Sequence, residues 1–241
     1  MVNDLIMESF SEAFASAFHL ILIADPTLWG IVILSLQVSL TAVFFAAMIG
    51  VPLGAFLAIK SFWGRSVIIV LVNALMGLPP VVVGLCVYLM LSKAGPLGIL
   101  GLLYTPTAMI IAQTLLIAPI IAALSRTILK NLHEEYKDQF ESFRLNQFQV
   151  LKTLLWEARF MLLTALLAGF GRAIAEVGAV MIVGGNISQY TRVMTTSIAL
   201  ETSKGNLSLA LALGVILILL AVFVNGTLSL IGAQRREDMH V

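Results

Sequence analysis

The chain has 241 residues, of which 60% are hydrophobic and 11% are charged, and its formal net charge is +1. Its mean hydropathy is +1.02, whereas a soluble domain usually carries about 25% charged residues. This composition excludes an ordinary soluble protein, and the balanced charge gives no reason to expect a nucleic-acid partner. The single cysteine, Cys86, excludes an internal disulfide and a cysteine-cluster metal site.

Residues 1–25 predict a helix with one apolar face. The residues on that face are Phe10, Phe14, Phe18, Ile21 and Leu22, while Glu8, Ser11, Glu12 and Ser16 lie mostly on other faces. This pattern is typical of an amphipathic helix that lies in the membrane interface. A helix that crosses the membrane is the alternative that the sequence leaves open.

Five charge-poor stretches are long enough to cross a bilayer, which requires about 20 apolar residues. We predict spans at about 28–59, 66–92, 106–125, 160–183 and 207–232. Asp25 and Pro26 form a helix-start signal for the first span, and Gly50–Gly54, which includes Pro52, predicts a bend within it. In the second span, Gly77-Leu78-Pro79-Pro80 removes two backbone donors at mid-depth. The freed carbonyl groups must therefore face protein or a water-filled path.

The segment 126–159 is a long polar stretch between the third and fourth spans. It contains six of the 14 Lys and Arg residues and five of the 13 Asp and Glu residues, with no Gly or Pro. Its apolar residues recur at helical spacing and predict a stripe along one side. That stripe consists of Leu129, Leu132, Tyr136, Phe140, Phe143, Phe148, Leu151 and Leu155. We expect its partner to be another protein in the cytoplasm.

The distribution of basic residues predicts the orientation of the chain. Three basic residues lie on the opposite side from the polar segment, namely Lys93, Arg192 and Lys204. The ten on its own side are Lys60, Arg65, Arg126, Lys130, Lys137, Arg144, Lys152, Arg159, Arg235 and Arg236. The segment 126–159 and the C-terminus are therefore predicted to be cytoplasmic. With five spans the N-terminus lies outside, and it moves inside if residues 5–24 also cross.

Motifs for catalysis or cofactor binding are absent from the sequence. It has no GxxxxGK[ST] loop, no HExxH and no plausible Ser/His/Asp set, and its histidines are scattered. We therefore expect no enzyme activity, cofactor or metal in this chain, so nucleotide-driven work must come from a second polypeptide. A secondary transporter that works without an ATPase and an intramembrane enzyme are the alternatives. The large charged segment and the lack of an internal repeat argue against the first, and the lack of a nucleophile with a base argues against the second.

The polar segment resembles the cytoplasmic loop of permease subunits from binding-protein-dependent ABC importers. That loop carries E-A-A, three residues, Gly, nine residues and I-x-L-P. The best register starts at Asp138, so Arg144 stands for the Gly, and Leu154, Trp156 and Glu157 stand for the Ile, Leu and Pro. The resemblance implies a coupling helix that sits in a cleft of the ATPase subunit. The implied contact residues are Asp138, Phe140, Glu141, Phe143, Arg144, Leu145 and Phe148.

A closer match covers nearly the whole chain. The stretches Gly169–Ile187 (GFGRAIAEVGAVMIVGGNI), Thr191–Leu207, Gly77–Gly84 and Phe10–Phe14 resemble the tungstate-type permeases, relatives of the molybdate and sulfate permeases. The resemblance implies an all-α, polytopic permease of the type I importer fold, with five core spans plus the N-terminal helix in a single domain, 1–241. The substrate implied is tungstate first and molybdate second, with sulfate or another oxyanion as the alternative.

The same resemblance implies the partners of the chain. They are a second copy of itself, two cytoplasmic ATPase subunits that use ATP and Mg, an extracytoplasmic oxyanion-binding protein and the lipid bilayer. The implied location is the inner membrane of the cell.

Arg172 and Glu176 are two charges inside the fourth span. A charge near the bilayer centre costs about 2.5–3.5 kcal/mol, and residues four apart on a helix can pair. Two interpretations stay open, a structural ion pair between helices and a lining or gate of the transport path. Hydroxyl and amide groups, including Ser197, are candidate donors at the outer mouth. The full set of predicted pathway residues is Arg172, Glu176, Gly184, Gly185, Asn186, Thr195 and Thr196.

Overall fold

The computed structural model describes residues 2–238, and side chains are described for 12–227. Within these residues the chain is helical, with turns and no strand, so the predicted all-α class is confirmed. The helices in chain order are α1 (Val2–Leu22), α2 (Pro26–Ile59), α3 (Arg65–Met76), α4 (Pro80–Leu91), α5 (Pro106–Glu135), α6 (Lys137–Ser142), α7 (Gln147–Glu157), α8 (Arg159–Ile174), α9 (Gly178–Gly184), α10 (Met194–Ser203) and α11 (Leu207–Asp238), with a 3₁₀ turn at Gly98–Leu100.

Three of these helices are long and apolar enough to cross a membrane by themselves, namely α2, α5 and α11. Two further pairs meet the same criterion together but are sharply bent. The angle is 100° between α3 and α4 and 66° between α7 and α8. By length and composition, the described residues thus offer up to five crossings if each bent pair forms one. The second pair differs from the predicted fourth span, 160–183, because α7 belongs to the polar segment 126–159 and the predicted span contains α8 and α9.

The centre of the fold is the packing of α2 against α5. Both helices begin with a capped turn, because the Asp25 carboxylate accepts the N–H of Leu28 and Thr105 caps α5 in the same way. A Cβ atom at Gly54 would lie 2.6 Å from the carbonyl oxygen of Ala122, and one at Gly50 would lie 2.8 Å from that of Ala118. These glycines therefore allow two helix backbones to approach closely. The helix is continuous from Pro26 to Ile59 with Pro52 inside it, and the predicted bend at 50–54 stays a prediction.

The second predicted span is not one helix. The helix α3 ends at Met76, and α4 begins at Pro80 at an angle of 100°. The cause is the one predicted, because two consecutive prolines cannot continue the hydrogen bonding of the preceding helix. The size of the bend was not predicted, and it directs α4 onto α9, where a Cβ atom at Gly84 would lie 2.7 Å from the Cα of Ala179.

The polar segment is not a single striped helix either. The helix α5 continues to Glu135, and α6 and α7 follow as separate short helices. Leu129, Leu132 and Phe140 are buried within this chain and pack with Val150 and Leu154. The prediction that the whole stripe faces another protein is therefore wrong for its first half, because the turns between the helices fold these residues inward.

The helix α1 packs against α11. Of its described side chains, Ala13 and Ala17 are buried, whereas Phe14, Phe18 and Leu22 on the predicted apolar face are exposed and Ile21 is half-buried. The side chains of Glu8, Phe10 and Ser11 lie outside the described ones. Near the end of α1, Ser16, His19 and Leu20 share a surface cavity with Ser208 at the start of α11.

Candidate functional site: a broken span and an exposed aromatic surface

The fourth predicted span is interrupted at residues 175–177, between α8 and α9. These three residues, Ala175, Glu176 and Val177, include neither Gly nor Pro, so the break within the predicted span 160–183 was not predicted. The end of the span was predicted correctly. The helix α9 ends at Gly184, and Gly185 and Asn186 take left-handed backbone angles with φ of 68° and 50°.

An ion pair connects the end of α8 to the break, because Arg172 lies in α8 and Glu176 lies just beyond its end. The Arg172 guanidinium Nη1 lies 2.6 Å from Glu176 Oε2, with side-chain exposures of 38% and 3%. The other carboxylate oxygen accepts the backbone N–H of Ala179 at 3.2 Å. Glu176 therefore pairs with a cation and caps the start of α9, which supplies partners for a buried charge. Its position is fixed at two points, whereas Arg172 is held at one.

Side chains from two other helices bind the backbone at the break. The amide Nε2 of Gln113 in α5 donates to the carbonyl oxygen of Ala173 at 3.1 Å, and Thr195 Oγ1 in α10 donates to that of Glu176 at 2.7 Å. Non-helical backbone at membrane depth needs such partners because lipid offers none. Gln113 was not predicted as a site residue. The available signal was a lone amide within the charge-free stretch 94–125.

A further link connects the break to α2. The backbone N–H of Met194, at the start of α10, donates to Ser35 Oγ at 2.7 Å, and the Ser35 hydroxyl donates to the carbonyl oxygen of Ile31 at 2.8 Å. These groups are buried. The hydroxyl of Ser35 thus places α10 so that Thr195 reaches Glu176.

The two interrupted spans meet each other. A Cβ atom at Gly178, the first residue of α9, would lie 2.9 Å from Cγ2 of Val81 in the first turn of α4. Together with the contact of Gly84 on Ala179, this shows that the breaks before α4 and α9 lie side by side. Paired broken helices bring polar backbone groups together within the bilayer, as in the binding regions of transporters.

The remaining predicted pathway residues lie next to this site, and internal hydrogen bonds occupy them. Asn186 Nδ2 donates to the carbonyl oxygen of Thr196 at 3.3 Å, and Thr196 Oγ1 donates to that of Val193 at 3.1 Å. Thr195 and Thr196 are buried, as is Gly184. Their hydroxyl protons are therefore engaged within the protein in this conformation, and their contact with an anion stays a prediction.

A cluster of charged and polar side chains surrounds Glu201 at the end of α10. Glu201 is buried and accepts hydrogen bonds from Lys204 Nζ and Asn206 Nδ2, both at 3.0 Å, while Arg192 Nη1 lies 4.0 Å away. The Lys204 hydrogen bond is the main cause that lowers the pKa of the Glu201 carboxyl group below its ordinary value. This cluster ties the segment after α9 to the start of α11.

The second candidate region is the turn between α6 and α7. Arg144 takes a left-handed conformation with φ of 49°. It occupies the position at which the importer loop motif has Gly, the residue that adopts such angles without steric cost. Asn146 and Gln149 then form a reciprocal capping box at the start of α7, with both hydrogen bonds at 2.9 Å. Arg144 thus adopts, at the position of the motif's glycine, a backbone angle that glycine adopts without steric cost.

This turn presents large apolar side chains to the surroundings. Phe143 is 75% exposed and Phe148 is 73% exposed, and Trp156 is exposed near the end of α7. Of the other predicted contact residues, Asp138, Glu141 and Arg144 are exposed, Leu145 is half-buried and Phe140 is buried. We call Phe143, Phe148 and Trp156 the aromatic surface. Phe140 is excluded from it because it packs on Tyr136 and His133 inside the chain.

A polar contact joins the turn to the first core span. The Lys60 ammonium group, directly after α2, donates to the Gln147 side-chain oxygen at the start of α7. Val51, Ala55 and Leu151 line an apolar groove of about 510 Å³ between the same two helices. These contacts connect α7 directly to the end of α2.

A helical membrane protein with adjoining broken spans and an exposed aromatic surface on a polar loop has the architecture of a transporter's membrane subunit. A family model described as "Binding-protein-dependent transport system inner membrane component" matches residues 50–236. The chain belongs to this family.

Curated relatives with transport functions are similar in sequence to this chain over most of its length. It is 41% identical over 222 residues to "Tungstate uptake system permease protein TupB" of Peptoclostridium acidaminophilum, covering 92% of this chain and 97% of the relative. It is 40% identical over 208 residues to "Probable anion ABC transporter permease protein" of Haloferax volcanii, covering 84% and 88%. A TupB protein of Campylobacter jejuni is 41% identical over 155 residues, covering 64% and 65%.

Proposed function

We propose that this chain is the membrane-spanning permease subunit of an ABC importer for a tetrahedral oxyanion, tungstate first and molybdate second. The observation that carries the proposal is the 41% identity to a tungstate uptake permease over 97% of that relative. A match that includes nearly every helix supports a shared transport role rather than a shared fold alone. Sulfate or another oxyanion is the alternative substrate.

The break between α8 and α9 supplies chemistry that suits an oxyanion path. Arg172 keeps part of its guanidinium exposed while Glu176 neutralises its charge. A tetrahedral anion is then offered N–H donors without a strong net field, so that it is admitted and also released. Breaks in two adjoining spans give a place where short helices move while the long helices α2 and α5 stay packed.

The aromatic surface is the proposed docking site for a cytoplasmic ATPase subunit. Exposed aromatic side chains are the residue type that most often anchors a protein interface. Lys60 and Gln147 then carry the motion of the docked subunit to α2. ATP and Mg belong to that partner, and in this proposal the chain holds no cofactor or metal of its own. Among the described residues no group of three metal-ligating side chains is found.

The assembly that we propose contains two copies of this chain, two ATPase subunits and an extracytoplasmic binding protein. The loop 126–159 and the C-terminus lie in the cytoplasm. The packing of α1 against α11 supports the alternative in which α1 also crosses the membrane. Its 21 residues extend about 31 Å at about 1.5 Å each, which matches a bilayer core. The N-terminus is then cytoplasmic, not extracytoplasmic as five spans alone require.

Affinity purification of the chain from its native membrane tests the class of transporter. An ABC permease is expected to bring an ATPase subunit with it, and oxyanion uptake by the purified assembly is expected to require ATP. Uptake that persists after the ATPase subunit is removed would instead identify a secondary transporter.

A further inference from the structure

Gln113 is the amide side chain of α5 that reaches the break between α8 and α9. It is 4% exposed, and its Nε2 donates to the carbonyl oxygen of Ala173 at 3.1 Å. It lines a narrow cleft together with Arg172 and Glu176. An amide in an apolar span is unfavourable unless it is hydrogen-bonded, so its presence at the break indicates a role there.

The second polar atom of this side chain is unused. The orientation of the amide is fixed, because the Ala173 carbonyl oxygen accepts only from the N–H side. Gln113 Oε1 therefore stays buried without a hydrogen-bond partner. A residue that only stitched two helices together would need no free acceptor, and methionine would fill the same volume. Gln113 lines the same cleft as Arg172, whose guanidinium carries several N–H donors.

We propose that Gln113 is a positioning residue for transport, which holds the end of α8 through its N–H and receives the Arg172 guanidinium on its free oxygen when the break rearranges. This inference rests on the proposed function. Arg172 is the mobile partner because Glu176 is also bound to the backbone of α9 at Ala179, whereas Arg172 has one bond and is partly exposed. Arg172 thus lines the same cleft as two residues with acceptor atoms, Glu176 and Gln113, and the proposal gives it two positions, one on each.

The test uses the complete assembly of permease, ATPase and binding protein in proteoliposomes, with tungstate uptake and ATP hydrolysis measured together. Gln113→Met keeps the volume and removes both polar atoms. The matched control is Thr114→Val, because the adjacent Thr114 is also buried and donates to a carbonyl oxygen of another helix, that of Ala42 at 3.4 Å, away from the break. Recovery of the ATPase subunit with each variant reports folding.

We expect Gln113→Met to lower the tungstate moved per ATP by about threefold to fifteenfold, the range given by one interhelical hydrogen bond in a membrane. Thr114→Val is expected to keep the ratio of the unmodified chain. An unchanged ratio in Gln113→Met, or an equal loss in both variants, would overturn the proposal.

A second variant separates positioning from packing. In Gln113→Glu the introduced carboxyl group donates to the Ala173 carbonyl oxygen only when it is protonated, and the charged groups that face it are Arg172 and Glu176. Its tungstate-to-ATP ratio is expected to rise as the pH is lowered, relative to the unmodified assembly, while Gln113→Met shows no such rise. A ratio in Gln113→Glu that follows the unmodified assembly at every pH would contradict the proposed hydrogen bond.

These experiments distinguish a failure of the proposed role of Gln113 from a failure of the proposed transport function. If the unmodified assembly moves no oxyanion with ATP, the proposed function fails before Gln113 is tested. If it transports tungstate and both Gln113 variants match it, only the role of Gln113 fails.

Discussion

Replacing Phe143 with Asp is expected to weaken ATPase docking while the permease stays folded. Phe143 is 75% exposed, and substitutions at such surface positions usually change stability by within about 0.5 kcal/mol. An aromatic anchor at the centre of an interface contributes about 2 kcal/mol or more. Since about 1.4 kcal/mol corresponds to a factor of ten, the dissociation constant is expected to rise about 30-fold or more.

The matched comparison is Phe140→Asp, three residues earlier in the same turn region. Phe140 is 8% exposed and packs against the buried residues of α5 and α7. Loss of a buried Phe costs about 3–5 kcal/mol, and burial of a carboxylate adds to that cost. We expect this variant to be recovered in low yield or to unfold at a lower temperature.

The assay is titration of the ATPase subunit onto the permease in lipid nanodiscs, with thermal unfolding measured on the same samples. Phe148→Asp is expected to behave as Phe143→Asp does. Unchanged affinity and unchanged ATP-dependent uptake in Phe143→Asp would refute the assignment of the docking surface. A stable, well-inserted Phe140→Asp would refute the division between the buried and exposed halves of the stripe.

The remaining predictions concern the broken spans and the outer segment. The double variant Arg172→Ala with Glu176→Gln keeps the acceptor that caps α9. We expect it to assemble with the ATPase but to lose oxyanion uptake. Uptake equal to that of the unmodified chain would show that the pair is purely structural. Gly84→Val is expected to lower assembly yield, because a side chain there meets backbone of α9 at 2.7 Å, and normal yield and uptake would argue against that close contact. The pKa of Glu201 is lowered from 4.5, chiefly by Lys204, so its stabilising contribution is present above about pH 4.5 and is lost as the pH falls through the lowered value. Glu201→Gln is expected to weaken this acid dependence of the unfolding temperature, and an identical pH profile would contradict it.

The helices that could be predicted are those whose signal is local. Charge-free length alone indicates α2, α5 and α11, and Pro79 with Pro80 marks the break before α4. The end of α9 follows from the glycines that precede Asn186. In each case the property that decides the structure is local to the sequence. It is the apolar length of a segment, the missing N–H of proline or the freedom of glycine at positive φ.

What could not be predicted depends on contacts between distant segments. The break at 175–177 has no Pro or Gly, and its hydrogen bonds come from Gln113 and Thr195, 60 and 19 residues away from the groups that they bind. Likewise, helical periodicity placed Phe140 and Phe143 on one stripe, but the left-handed turn at Arg144 and the packing on Tyr136 separate a buried residue from an exposed one.

Accumulation of tungstate inside proteoliposomes that contain the permease, its ATPase and its binding protein is the most direct test of the central claim. Metal content per vesicle is measured with ATP, with a non-hydrolysable analogue, and with molybdate or sulfate as competitor. The proposed function predicts that tungstate accumulates inside the vesicles with ATP but not with the analogue. It also predicts that molybdate reduces this accumulation more than sulfate does. Equal tungstate content with ATP and with the analogue would contradict it.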